Sequence, residues 1–160
     1  METESEKLNQ VARVAQLAAQ LMLGNGGETY RAEETARHIS RSFGYDAEVI
    51  AFPTGIMLSI GGEKSLIGRV SRRQVDFSKI DRVNAISREL ASGARTLDNA
   101  EAELSELAAR PSMGWFRQSL IAAASSAMFA LMFSGAPFDL AAAGASAFVA
   151  QTVVGQLNDE

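Results

Sequence analysis

The chain has no cysteine, which removes disulfides, thiolate-ligated metals and thiol chemistry together. Its single histidine, His38, leaves few options for a catalytic triad or a zinc site. There is no phosphate-cradling glycine loop, no paired metal-ligand motif and no Gly-x-Ser-x-Gly elbow. The residues therefore read as those of a non-enzyme, with neither metal nor cofactor. The acidic opening Met1-Glu2-Thr3-Glu4 lacks the positive start and apolar core of a secretory signal. Neither an internal repeat nor a low-complexity linker interrupts the sequence.

The most informative deficit is charge towards the C-terminus. All 15 Lys and Arg residues lie at or before Arg117, and between Arg117 and Asp159 the only charged residue is Asp139. Upstream, acidic and basic residues are nearly balanced, which does not suggest a nucleic-acid binder. The uncharged region forms two apolar segments, 116–134 and 138–157, on either side of Gly135-Ala136-Pro137. A helix rises about 1.5 Å per residue and a bilayer core is about 30 Å thick, so each segment just suffices to span it.

Both segments are rich in Ala, Ser and Gly, a composition that a buried hairpin of a soluble protein shares. Other cues point to lipid. Trp115 and Phe116 stand where interfacial aromatics belong, and Arg117 can snorkel from the helix end. Ala122, Ser126 and Ala130, and then Ala142, Ser146 and Ala150, place small residues at every fourth position. Such faces let helices approach closely in lipid. With arginines before the first segment and none in the connection, the positive-inside rule puts the N-terminal part in the cytoplasm.

Before residue 112 the periodicity predicts helix, helix, three strands, helix, helix. Leu8, Val11, Val14, Ala15, Ala18, Leu21 and Met22 mark one buried helical face, ended by Gly24, Gly26 and Gly27. Ala32, Ala36, Ile39 and Phe43 mark a second, which Gly44 stops. Short runs at 48–52, 56–60 and 66–70, broken by Pro53-Thr54-Gly55 and Gly61-Gly62-Glu63-Lys64, read as an antiparallel meander. Ile80, Val83, Ile86 and Leu90 mark a third helix, ended by Gly93. Thr96 is an N-cap for a fourth, carrying Leu97, Ala100, Leu104 and Leu107. The expected fold is a cytoplasmic α+β domain over 1–112, followed by a two-helix transmembrane hairpin over 113–157.

Gly26-Gly27-Glu28-Thr29-Tyr30-Arg31-Ala32-Glu33-Glu34 and Phe52-Pro53-Thr54-Gly55-Ile56-Met57-Leu58-Ser59-Ile60 carry a resemblance. So do Arg69-Val70, Lys79-Ile80-Asp81-Arg82-Val83-Asn84, Ser87-Arg88-Glu89-Leu90, the Trp115-Phe116 entry and Phe129-Ala130-Leu131-Met132-Phe133-Ser134-Gly135. In this order they resemble the threonine/serine exporter (ThrE/YjjP-like) family, over essentially the whole chain. The resemblance implies a cytoplasmic N-terminal domain joined to an inner-membrane exporter of small polar metabolites. One branch exports threonine and serine, another dicarboxylates such as succinate, and export is thought to use the proton gradient. Members normally carry several more membrane helices. Two helices do not readily enclose a polar pathway. The expected partners are therefore the lipid bilayer, further membrane helices or a companion subunit, other copies of the chain, and a small polar metabolite.

Glu28, Arg31 and Glu34 recur at three-residue spacing, either as a charged stripe facing a gate or as an ordinary solvated face. Pro53 and Thr54 either shape a site between strands or simply make a turn. Asp139 is either an N-cap at the outer surface or a proton- or substrate-handling group. His38, between Arg37 and Arg41, reads as a surface residue. The basic stretch Arg69, Arg72, Arg73, Lys79, Arg82 and Arg88 reads either as headgroup-binding or as a solvated edge. Beside the exporter stands a second reading, a membrane-tethered interaction or sensing module without transport.

Overall fold

Eleven residues of the first helix are buried, too many for a single amphipathic stripe, and this decides the architecture of the N-terminal part. The computed structural model describes residues 4–158 except 63, 71, 72, 112 and 134. The chain divides into two units, Met1–Arg110 and Pro111–Glu160. In chain order the first contains α1 (Glu4–Gly24), α2 (Thr29–Ser42), β1 (Ala47–Phe52), β2 (Gly55–Ile60), β3 (Lys64–Arg69), α3 (Phe77–Ala91) and α4 (Leu97–Ala109). The second contains α5 (Trp115–Met132) and α6 (Pro137–Asn158). Among the described residues this is an α+β protein with one antiparallel sheet of order β1-β2-β3.

In the first unit α1 packs against α2, α3, α4, β2 and β3. Ala12, Ala15, Ala18 and Ala19 are fully buried and let these neighbours come close, while Val11, Val14, Met22 and Leu23 fill the space between. Each large side chain so buried stabilises the unit by about 1.5–3 kcal/mol. Gly26, at φ 94°, ends α1 in a conformation that a Cβ disfavours. The N–H groups of Gly26 and Gly27 return to Leu23 and Met22 (3.4 and 2.8 Å), satisfying the last carbonyls. α3 and α4 start on side-chain caps: Asp76 accepts from Ser78 and Lys79, and Thr96 from Asn99.

The sheet covers the core with Val49, Ile56, Leu58 and Ile60. β3 begins two residues earlier than the pattern of its apolar residues predicts. The reason is the tight turn at Gly61 and Gly62 (φ 63° and 72°), which pairs Ile60 with Lys64. Val70 lies beyond the ladder, its N–H donating to the Thr54 carbonyl at 2.9 Å. On the outer face the register aligns Ile50, Met57 and Ile67 across the three strands. They and the neighbouring Phe52 stay 47–79% exposed.

In the second unit α5 and α6 pack antiparallel, with Gly144 against Ala123 and Ala127, and Gly155 against Trp115. A Cβ on Gly155 would stand 2.6 Å from that of Trp115, so glycine permits the contact. Ala122, Ser126 and Ala130 lie on the partly covered side of α5, as expected. The small-residue face predicted for α6 is displaced. Ala142, Ser146 and Ala150 are exposed, and Ala143, Gly144, Ala147 and Thr152 turn inward instead.

Of the two expected membrane spans, one meets the length and hydropathy that a crossing requires. Among the described residues one helix, Pro137–Leu157, is long and apolar enough to cross a membrane, and none of it is buried. α5 is shorter and spends its first turn on Trp115, Phe116, Arg117 and Gln118, which dilutes its apolar run. Ser134, the expected end of the first span, lies outside the described residues.

Candidate functional site

The residues singled out from sequence do not gather into one site. Glu28 is the residue before α2, in extended conformation, and its side chain caps nothing. Its carboxylate accepts a hydrogen bond from Tyr30, which pushes that phenol's pKa up. Arg31 and Glu34 are exposed on the same helix. The ordered pair on α2 is a different one, Glu33 with Arg37 at 2.7 Å. Glu33 accepts the N–H of Ala51, and Arg37 donates to the carbonyl of Val49 (3.0 and 3.3 Å). Together they cover the open edge of β1, an edge that would otherwise template pairing with another chain. Sequence spacing alone gives no sign of this role.

Pro53 and Thr54 form the exposed two-residue turn between β1 and β2. Asp139 belongs to the hairpin, and its place corrects the expected N-cap by one turn. Pro137 is the first helical residue, so Asp139 is the third, and its carboxylate reaches back to the N–H of Ala136 at 2.9 Å. That is one half of a capping box, with proline where its missing N–H costs nothing. His38 is exposed, as expected, but its Nδ1 also lies 3.0 Å from Ser87 Oγ on α3.

The basic stretch is not one continuous surface. Arg72 is outside the described residues. Lys79 is buried, and its ammonium donates to the carbonyl of Arg110 at the end of α4 (2.8 Å). Arg82 is paired with Glu103 and Glu89, and Arg95 joins the same two carboxylates. Arg82 and Arg95 hold the Glu103 carboxyl below its usual range, and Arg95 and Arg82 do the same for Glu89. This network ties α3 to α4. No group of acidic or histidine side chains fit to hold a metal occurs among the described residues.

The polar cluster that sequence reading missed lies between α5 and α6. Gln151 donates from Nε2 to Gln118 Oε1 at 3.2 Å, and Gln118 donates to the carbonyl of Met113 at 2.7 Å. At the next residue, buried Ser119 donates to the Trp115 carbonyl (2.9 Å). The Thr152 hydroxyl lies 2.8 Å from the Phe148 carbonyl and 3.1 Å from Ser119 Oγ. Elsewhere the hairpin contact is made by small residues, and its outer surface is apolar. Leu120, Ile121, Met128, Phe129, Val149, Val153 and Val154 are all half-exposed or more. Buried polar and exposed apolar residues are the inverse of a water-soluble arrangement.

A family model described as putative threonine/serine exporter matches residues 13–159. The chain belongs to the threonine/serine exporter family. Membership makes it a membrane transport protein of amino-acid export, and α6 is the helix fit to enter the bilayer. No curated protein and no solved structure matches the chain.

Proposed function

We propose that this exporter-family chain is the membrane-anchored component of a threonine or serine exporter, and that it works with further membrane helices. The observation that carries the reading is the bare apolar surface of the hairpin, with α6 unburied along its whole candidate span. In water that surface would drive aggregation; lipid or additional helices satisfy it. We place both helices in the inner membrane, with Arg117 snorkelling and the first unit cytoplasmic. Two helices shield no polar route, so the transporting assembly includes further membrane helices.

Self-association has a surface to use. The outer sheet face carries Ile50, Met57, Ile67 and Phe52, with Glu48 and Arg69 exposed at opposite corners. A second copy turned about the sheet diagonal would set each Glu48 against the partner's Arg69. Glu28, Arg31, Glu34, Pro53 and Thr54 offer the exposed surface for a gate or companion subunit, while Asp139 fixes the outer end of α6. A dicarboxylate such as succinate is the finer alternative for the cargo.

The test is efflux. Cells preloaded with threonine, serine or succinate and producing the chain with its co-purifying membrane partners should release threonine or serine faster than control cells. Unchanged release of all three overturns the exporter reading in favour of a membrane-tethered interaction module.

A further inference from the structure

We propose that Gln118, Ser119, Gln151 and Thr152 form a cytoplasm-facing loading site for a small neutral amino acid; this rests on the exporter reading and its orientation. The geometry leaves the cluster chemically unfinished. Each carboxamide carries two N–H donors and a carbonyl with two lone pairs. Gln118 uses a donor on Met113 and its oxygen on Gln151, and Gln151 uses one donor on Gln118. Among the described residues the Gln151 oxygen accepts nothing. Each carboxamide also keeps an N–H that these contacts do not use. The single Thr152 proton is shared between two acceptors.

The surplus is within reach of a solute: Gln118 stands in the first turn of α5 beside Arg117, and Gln151 is bonded to it and only partly covered. The spare N–H groups suit a carboxylate, and the carbonyl of Gln151 suits an ammonium. The two hydroxyls suit a hydroxyl-bearing side chain. All four residues are uncharged, so a zwitterion leaves no net charge to compensate, whereas a dicarboxylate would need cations that the cluster lacks. In the orientation proposed above, the start of α5 and the end of α6 both face the cytoplasm, so the cluster lies at the end where an exporter takes up its cargo.

The absence of native cysteine makes the test direct. Gln151→Cys, Val149→Cys and Val153→Cys are made in the full chain. Each is labelled in inside-out membrane vesicles with a membrane-impermeant maleimide, with and without threonine, serine or succinate. Val149 and Val153 are exposed on the hairpin's apolar surface and flank Gln151 in sequence. Gln151→Cys should label while the valine variants do not. Threonine or serine should slow it about tenfold at roughly ten times the dissociation constant, and succinate should not. Should Gln151→Cys fail to accumulate, the nearly isosteric Thr152→Cys takes its place. Equal labelling of the valine variants, no labelling at the cluster, labelling without amino-acid protection, or protection by succinate each overturns the proposal. Efflux from cells producing the unsubstituted chain separates the two readings. Efflux without protection sinks the site alone, and protection without efflux sinks the export function alone.

Discussion

Leu104 and Val83 in the first unit are fully buried, whereas Leu131, Val149 and Val153 in the hairpin, just as apolar, are 51–61% exposed. The polar groups invert in parallel. Arg82, Arg95, Glu89 and Glu103 pair on the outside of the first unit, while Ser119 and Thr152 pair between the hairpin helices. The first unit satisfies its own hydrophobic surface, and the hairpin leaves that to its surroundings. A membrane exporter needs both solutions in one chain, and each should fail under a different perturbation.

The largest effect should come from the first unit's core. Leu104→Ala opens a cavity beneath α1 and should cost about 2–5 kcal/mol, read as faster amide exchange in the full chain in detergent. Exchange in α5 and α6 should not change; if it does, the two units are not energetically separate. Val149→Arg reverses the perturbation. It puts a charge near the middle of α6 and should cost about 2.5–3.5 kcal/mol of insertion. The readout is the fraction recovered with membranes. Undiminished recovery would mean that α6 does not face lipid.

The contrast also explains what was legible. Leu8, Val11, Val14, Ile39, Val83, Ile86 and Leu104 were readable as core because a helix in water must alternate buried and exposed residues at a fixed period. The glycine stops and the Thr96 cap are local chemistry and needed no tertiary knowledge. In the hairpin both sides are apolar, so periodicity cannot tell which side meets the partner helix. Small-residue spacing therefore points to Ala142, Ser146 and Ala150, whereas the inward face of α6 runs through Gly144 and Thr152. Glu33 with Arg37, and Gln118 with Gln151, depend on segments far apart in sequence, and no spacing rule reports them.

A smaller effect sharpens the comparison at one helix end. Asp76 caps α3, and the Ser78 hydroxyl, with the N–H groups of Ser78 and Lys79, holds its carboxyl below the usual range. Asp76→Ala should cost about 1 kcal/mol, seen as a lower thermal midpoint of the first unit. Asp76→Asn should recover most of it. Equal loss in both variants would assign the effect to charge rather than to the cap.

The smallest expected effect is one of pH. Arg82 and Arg95 depress the folded pKa of Glu103 below the ordinary 4.5, and Arg95 and Arg82 depress that of Glu89. A depressed carboxylate pKa stabilises the fold fully above the unfolded value and ceases to do so as pH falls through the folded one. The α3–α4 connection should therefore loosen as pH drops below 4.5, by under about 1 kcal/mol for Glu103 because the pair is partly solvated. Gln118, Ser119, Gln151 and Thr152 carry no group that titrates in this range, so the hairpin contact should hold. Amide exchange compared above and below that pH checks both halves. In Glu103→Gln the first unit should start less stable and respond less to acid. An unaltered acid response in that variant would remove the α3–α4 network as its cause.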